Sequence, residues 1–174
     1  MGPASYFPSF NDLMRTSSAQ ERFHREASLA AHAQFGRKVF VRAVVEISNF
    51  CRQNCSYCGM RRENRELERF RAGHEQLAEL ILKHRPASVT DLNIQAGEDP
   101  KAVREVVVPL IRTLRRETNL GVSVCLGSLA NEAYDELQAA GASIYILKFE
   151  TGDPDLYERM ESPGTYHERL AKIR

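Results

Sequence analysis

No apolar run in this 174-residue chain approaches the roughly 20 residues that a membrane-spanning helix needs. Met1 to Ser9 lacks the charged start and apolar stretch of an export signal. Charge of either sign is not in excess. Lys and Arg number 24 against 23 Asp and Glu, a formal charge of +1, so no polyelectrolyte field is available to draw in a nucleic acid. The most charge-dense stretch holds Arg61, Arg62, Arg65, Arg69 and Arg71, but Glu63, Glu66 and Glu68 interleave with them. That pattern reads as a solvated mixed-charge segment. The expectation is a cytoplasmic protein with neither a membrane nor a nucleic-acid partner. At 43% hydrophobic content, the length suits one domain with a real core.

Cysteine is scarce too, at four residues, yet three of them fall within Cys51-Arg52-Gln53-Asn54-Cys55-Ser56-Tyr57-Cys58. The spacing is C-x3-C-x2-C, one thiolate short of a closed site. A structural zinc takes four protein ligands, and an ordinary electron-transfer cluster takes four cysteines. Three thiolates on a cubane cluster would leave one iron open to a substrate or cofactor. A disulfide pair fits poorly with three bunched thiols and no secretion signal. A zinc site would need His74 as its fourth ligand, sixteen residues beyond Cys58 and with no second ligand pair to support it. Inert buried thiols would not bunch in a polar Arg/Gln/Asn/Ser loop. A cluster is favoured, with zinc and inert thiols as the alternatives.

The rest of the chain alternates between two periodicities. Ser9 with Asp12, and Ser18 with Glu21, look like capping boxes opening two N-terminal helices. The second should run to about Gln34 and stop at Gly36, with Phe23, Ala27, Ala30 and Ala31 as its apolar stripe. Four strands are then expected, at Val39–Ile47, Val89–Gln95, Val122–Leu126 and Ser143–Phe149. Between them lie helices near Glu75–Lys83, Lys101–Glu117 (kinked at Pro109) and Asn131–Ala140. Asp153-Pro154 caps a short helix, and Thr165 with Glu168 opens another. Four strand–helix repeats predict an α/β fold with a parallel sheet, about four units of a (βα) barrel preceded by N-terminal helices. Domain boundaries follow as a helical segment over 1–37 and a core over 38–174. No G-x-G-x-x-G follows the first strand, which weakens a dinucleotide-binding reading. The unusual residues, namely the cysteines, Gly97-Glu98, Gly127-Ser128 and Lys148-Phe149-Glu150, all sit at C-terminal strand ends. In a (βα) barrel that is the active face. Val124 and Ile146 are expected on the inner face of the sheet.

The motif with its aromatic before the last cysteine resembles the signature of the radical S-adenosylmethionine (SAM) enzymes. Glu46-Ile47-Ser48-Asn49-Phe50-Cys51 and Tyr57-Cys58-Gly59-Met60-Arg61-Arg62-Glu63-Asn64 resemble the branch that holds biotin synthases, methylornithine synthases and iron-only hydrogenase maturases. Gln95-Ala96-Gly97-Glu98-Asp99 and Leu147-Lys148-Phe149-Glu150-Thr151 are similar to segments of the maturases.

The resemblance implies that Cys51, Cys55 and Cys58 hold a [4Fe–4S] cluster whose fourth iron chelates SAM. It implies reductive cleavage of SAM to methionine and a 5′-deoxyadenosyl radical, in cofactor biosynthesis or metallocofactor maturation. Tyr57 would lie along the adenine, the alternative being a loop aromatic packed on the rim. The backbone of Ala96 and Gly97 would accept the methionine ammonium. Glu98 would serve the cofactor, or only the dipole of the next helix. Ser128 belongs to the same implied set. Lys148 and Glu150 would meet SAM's carboxylate and ribose from one side of strand four, or form a plain ion pair. The expected partners are a small-molecule substrate and an electron donor such as flavodoxin or ferredoxin. Where the hydrogenase maturases carry Glu after Leu-x-x-Gly, this chain has Cys125-Leu126-Gly127-Ser128, so their substrate is not implied. The family's barrels have eight units and this chain supplies four, so a separate C-terminal half is a further expected partner. A non-catalytic iron–sulfur or zinc-binding fragment is the alternative function.

Overall fold

The structure, a computed structural model, describes residues 18–173, and the expected Ser9/Asp12 capping box lies outside them. The chain divides into two units that part between Val39 and Phe40. The described part of the first carries helix α1 (Ser18–Phe35), ended where Gly36 takes a φ of +64° and donates its N–H to the His32 carbonyl. None of its residues is buried, the Phe23/Ala27/Ala30/Ala31 stripe included.

The second unit is a four-stranded parallel sheet in the order β1-β2-β3-β4: Val41–Ser48, Val89–Ala96, Gly121–Cys125 and Ile144–Tyr145. Helix α2 (His74–His84) connects the first two strands. A continuous helical run connects the next two, made of α3 (Pro100–Ala102), a π-helical stretch (Val103–Val107) and α4 (Val108–Glu117). Helix α5 (Asn131–Ala140) leads into β4, and α6 (Pro154–Arg159) and α7 (Tyr166–Ala171) follow. The kink expected at Pro109 is a widened turn just before it. Proline has no N–H for the regular i−4 bond, and a π-helical register accommodates that loss.

Helices cover one face of the sheet. Ala43, Val45, Ile47, Leu92, Ile94, Val122 and Val124 pack there against Leu77, Ile81, Val106, Leu110, Ile111 and Leu114. Because side chains alternate along a strand, Val44, Glu46, Asn93, Gln95, Ser123 and Cys125 occupy the other face. This corrects the expectation for Val124: it is fully buried in the helix–sheet layer, not on the inner face. In a strand flanked by apolar residues, pattern alone does not tell the two faces apart.

Strand four is also shorter than expected, with only Ile144 and Tyr145 in the ladder and one further bond, from the Ile146 N–H to the Val124 carbonyl. Lys148-Phe149-Glu150 lies beyond it, and Glu150 has a φ of +65°. Strand alternation therefore does not place Lys148 and Glu150 together, and they form no ion pair.

The turn after β2 organises the sheet end. Asp99, 5% exposed, accepts from Ser48 Oγ at 2.7 Å and Arg71 Nε at 2.7 Å, and caps α3 through the Ala102 N–H at 3.2 Å. A slip of register between Glu46 and Ser48 turns both Ile47 and Ser48 inward, which brings the Ser48 hydroxyl to Asp99. Burial alone would raise the Asp99 carboxyl, but the hydrogen bonds from Arg71, Ser48 and Ala102 and the Arg71 charge outweigh it and hold the pKa below 3.8. The folded-state value is thus depressed. The stabilisation is complete above the ordinary aspartate range and is lost as pH falls through the folded value. Asp99→Ala should cost about 3 kcal/mol at neutral pH, since it strands Arg71 and Ser48. Urea melts from pH 6 down to pH 2.5 should show wild type losing this increment below about pH 4 and the variant not. Parallel curves across that range would contradict the assignment.

Candidate cofactor site

The cysteine loop leaves the sheet at Ser48 and returns at Arg71, which bridge to each other in antiparallel fashion. Asn49 closes the base: its Nδ2 donates to the Glu68 carbonyl and its Oδ1 accepts the Phe70 N–H, both at 2.7 Å. Above that, the Arg69 guanidinium donates to the carbonyls of Asn49, Met60, Arg61 and Asn64. One planar fork thus gathers carbonyls from both sides of the loop, a geometry that a point-charge lysine would not reproduce. Arg71 stacks its guanidinium 4.5 Å from the centre of the Phe50 ring while it pairs with Asp99. The far side is tied down by the Ser56 N–H and hydroxyl, both donating to the Met160 carbonyl.

All three cysteines of the loop are free, Cys55 buried and Cys51 and Cys58 half-buried. The Cys51 sulfur accepts the backbone N–H groups of Gln53 and Glu98, each at 3.4 Å. Such bonds favour a thiolate and tune a cluster built on it. Burial pushes the Cys55 thiol up, the Tyr57 hydroxyl against its sulfur pulls it down, and the neighbouring Cys51 and Cys58 raise it again. Three thiols therefore share one loop. No three His, Cys, Asp or Glu side chains converge as ligands of one metal ion among the described residues, which leaves the His74 zinc site without support. The donor set fits a polynuclear cluster instead, because a cubane takes each thiolate on a separate iron. Tyr57 is 46% exposed beside this loop, its hydroxyl pushed up chiefly by desolvation and the nearby Cys55.

Gly97 lets the loop sit on the end of β2. A Cβ there would clash with the Phe50 carbonyl oxygen and come within 2.8 Å of the Cys51 Cβ. Glu98 is 4% exposed, and its carboxylate is fully engaged. Gln53 Nε2 donates at 2.6 Å, Arg52 Nε at 3.1 Å and the Ser128 N–H at 2.7 Å. Gly127, at a φ of +75°, packs directly on the Glu98 side chain, so a Cβ at that position would overlap it. Glu98 is thus the strut between the cysteine loop and the end of β3, a role that neither sequence expectation contained.

Ser128 does lie at the rim, and its Oγ accepts from Arg169 at 2.7 Å. Arg169 was not legible in the sequence. It sits on α7, 4% exposed, with Nε donating to the Tyr157 hydroxyl at 3.1 Å, and no carboxylate pairs with it among the described residues. An arginine on a six-residue helix carries no signature in one sequence; its burial under Tyr157 is a tertiary fact. Burial pushes the Cys125 thiol up, and the charges of Lys148, Glu46, Glu150 and Arg169 act on it as well.

The sequence model of the Radical SAM superfamily matches residues 45–174. The chain is 33% identical over 135 residues to the [FeFe] hydrogenase maturase subunit HydE of Thermotoga maritima, covering 78% of this chain and 38% of that protein. It is 30% identical over 129 residues to the biotin synthase of Pseudoalteromonas translucida, covering 71% of this chain and 36% of that one. The crystal structure of methylornithine synthase (PylB) superposes with a TM-score of 0.81 at 24% identity, over 98% of this chain and 52% of that chain, a likeness of fold. The chain thus spans less than two-fifths of the length of these curated relatives, which are enzymes. Its parallel four-stranded sheet corresponds to part of their barrel. With its three-cysteine loop on the C-terminal end of β1, the chain belongs to the radical SAM superfamily, on the side of the biotin synthases and hydrogenase maturases.

Proposed function

We propose that this chain carries the cofactor-binding half of a radical SAM enzyme of cofactor biosynthesis or metallocofactor maturation. Residues 38–174 form the core and 1–37 the preceding helical segment. The observation that carries the reading is the loop itself: three free thiols, no fourth ligand among the described residues, and two backbone N–H groups on the Cys51 sulfur. Cys51, Cys55 and Cys58 would hold a [4Fe–4S] cluster, which would supply the electron for reductive cleavage of SAM to methionine and a 5′-deoxyadenosyl radical. The protein's part is position and exclusion of water. Glu98 and Arg69 fix the loop, and Gly97 brings the loop backbone close to the end of β2.

Arg169, buried beside Ser128 without a carboxylate of its own, offers a cation to the carboxylate of SAM. Tyr57, Ala96, Gly97, Ser128, Lys148 and Glu150 complete the proposed cofactor rim. Glu98 acts there through the loop. The remaining partners we infer are a small-molecule substrate, a low-potential donor such as flavodoxin or ferredoxin, and the rest of the barrel, in the cytoplasm where thiols stay reduced. Among the described residues no helix is long and apolar enough to cross a membrane.

Anaerobic reconstitution with iron and sulfide should load about four irons per chain, with a spectrum that changes on adding SAM. Cys55→Ala should lose both. A variant that keeps the full cluster and the SAM response, or a chain that takes up one zinc instead, would sink the reading.

An iron without a protein ligand is open to oxidants. Exposure to air should therefore bleach the reconstituted protein and release its iron. Colour and iron content that survive hours in air would point to a shielded or four-coordinate metal.

Strands β1 and β4 are the edges of the sheet, and the hydrophobic core lies on its helix-covered face. SAM cleavage should accordingly be weak for the chain alone and rise when the remaining barrel units are supplied in cis or in trans. Efficient turnover by the chain alone as a sedimenting monomer would contradict this.

A further inference from the structure

The open face of the sheet carries a row of polar side chains that the cofactor site does not use. Gln95 Nε2 donates to Glu46 Oε2 at 2.7 Å, and Asn93 Nδ2 donates to Gln95 Oε1 at 3.3 Å. Ser123 Oγ lies 3.1 Å from both Asn93 Oδ1 and the Leu92 carbonyl, so its one proton serves these two acceptors. The row crosses three adjacent strands, because Glu46 is in register with Gln95 and Asn93 with Ser123. Barrel interiors are ordinarily filled by layers of branched apolar side chains, and Asn and Gln are poor strand residues. Four polar residues joined across this face are not packing material.

The carboxylate sets the polarity of the whole row. Glu46 can only accept, so Gln95 must turn its NH2 towards it. That leaves Gln95 Oε1 for the Asn93 NH2, and Asn93 Oδ1 for the Ser123 hydroxyl. Each amide NH2 places one of its two N–H groups in the row, and the Ser123 hydroxyl serves Asn93 Oδ1 or the Leu92 carbonyl. Asn93 and Ser123 are buried, so what the row presents at its exposed end is the second oxygen of Glu46, which has no hydrogen-bond partner among the described residues. Glu46 has no ion pair among the described residues either. A wall of this kind repels carboxylates and phosphates and accepts a donor-rich cation.

We infer that the Glu46–Gln95–Asn93–Ser123 row is the substrate wall of the cavity and that it recognises a protonated amine, seated on the Glu46 carboxylate that Gln95 holds in place. The inference rests on the radical-enzyme reading above, which makes this face the lining of a reaction chamber. It goes further by naming the group the substrate must carry.

The test uses the full chain and two probes of matched shape, n-butylammonium and n-butyrate, at constant ionic strength. The side-chain amide signals of Gln95 and Asn93 are followed by NMR. Butylammonium should shift both signals, with an affinity about tenfold or more above that of butyrate, the worth of one hydrogen bond to a charged group. Glu46→Gln keeps an acceptor for Gln95 and sits at an exposed position, so it should fold, and it should erase the preference; Glu46→Asp should keep part of it. Equal response to the two probes, or a preference that survives Glu46→Gln, overturns the inference. The two failures are separable. Iron loading that succeeds while the amine preference is absent removes this inference alone. Iron loading that fails removes the proposed function and this inference with it.

Discussion

Two neighbouring carboxylates in one turn hold the functional end of this molecule together. Glu98 and Asp99 follow Gly97 directly after β2, and each binds three partners from different parts of the chain. Asp99 gathers the end of β1, the returning limb of the cysteine loop and the start of α3. Glu98 gathers the outgoing limb of that loop and the end of β3. Both are almost wholly buried, where an unpaired carboxylate would cost several kcal/mol, so the partners are obligatory. Gly97 and Gly127 are the steric counterparts. One lets the loop lie on the turn, and the other lets β3 pass over the Glu98 side chain. The cysteine loop is an insertion of irregular backbone, yet it is anchored to the regular sheet at each of its limbs.

Much of this was legible. The three-cysteine spacing, the parallel sheet, the Asp153 cap and the Thr165/Glu168 capping box are short-range patterns, and each appears in the structure where the residues put it. What was illegible is long-range. Val124 looked like an inner-face residue because its strand is apolar on the helix side and small or polar on the other, and a five-residue strand has too few positions to assign the faces. Lys148 and Glu150 were read through strand alternation, but the ladder ends at Tyr145 and the φ of Glu150 turns the chain out of it. The bracing role of Glu98 was illegible, since its partners Gln53 and Ser128 lie 45 and 30 residues away in sequence. Arg69 and Arg169 were indistinguishable from surface arginines until the fold placed one among the loop carbonyls and buried the other.

The two faces of the sheet follow different rules, and the difference is chemical information. The helix-facing side is a continuous layer of Val, Ile and Leu, with buried polar groups confined to its rim. The open side carries a carboxylate, two amides, a hydroxyl and a thiol in adjacent registers. If the remaining barrel units close over this face as in the solved relative, the enclosed volume is a chamber lined with hydrogen-bonding groups rather than a second core.

Charge is separated across that chamber. Among the described residues, Arg169 is buried with hydroxyl partners and no paired anion, while Glu46 sits on the first strand with an amide partner and no paired cation. Left to themselves the two would be drawn to an ion pair, but they are anchored on different elements, one on α7 and one on β1, and each is held by neutral partners of its own. Enclosure lowers the local dielectric and strengthens both fields, so each charge becomes more demanding of an opposite charge from outside the chain. Under the proposed function, two molecules meeting in this space would have distinct stations. An anionic group would be drawn to the Arg169–Ser128 corner and a cationic group to the Glu46 row on the sheet. Such a division would orient a cofactor and a substrate towards each other without any contact between the two protein charges.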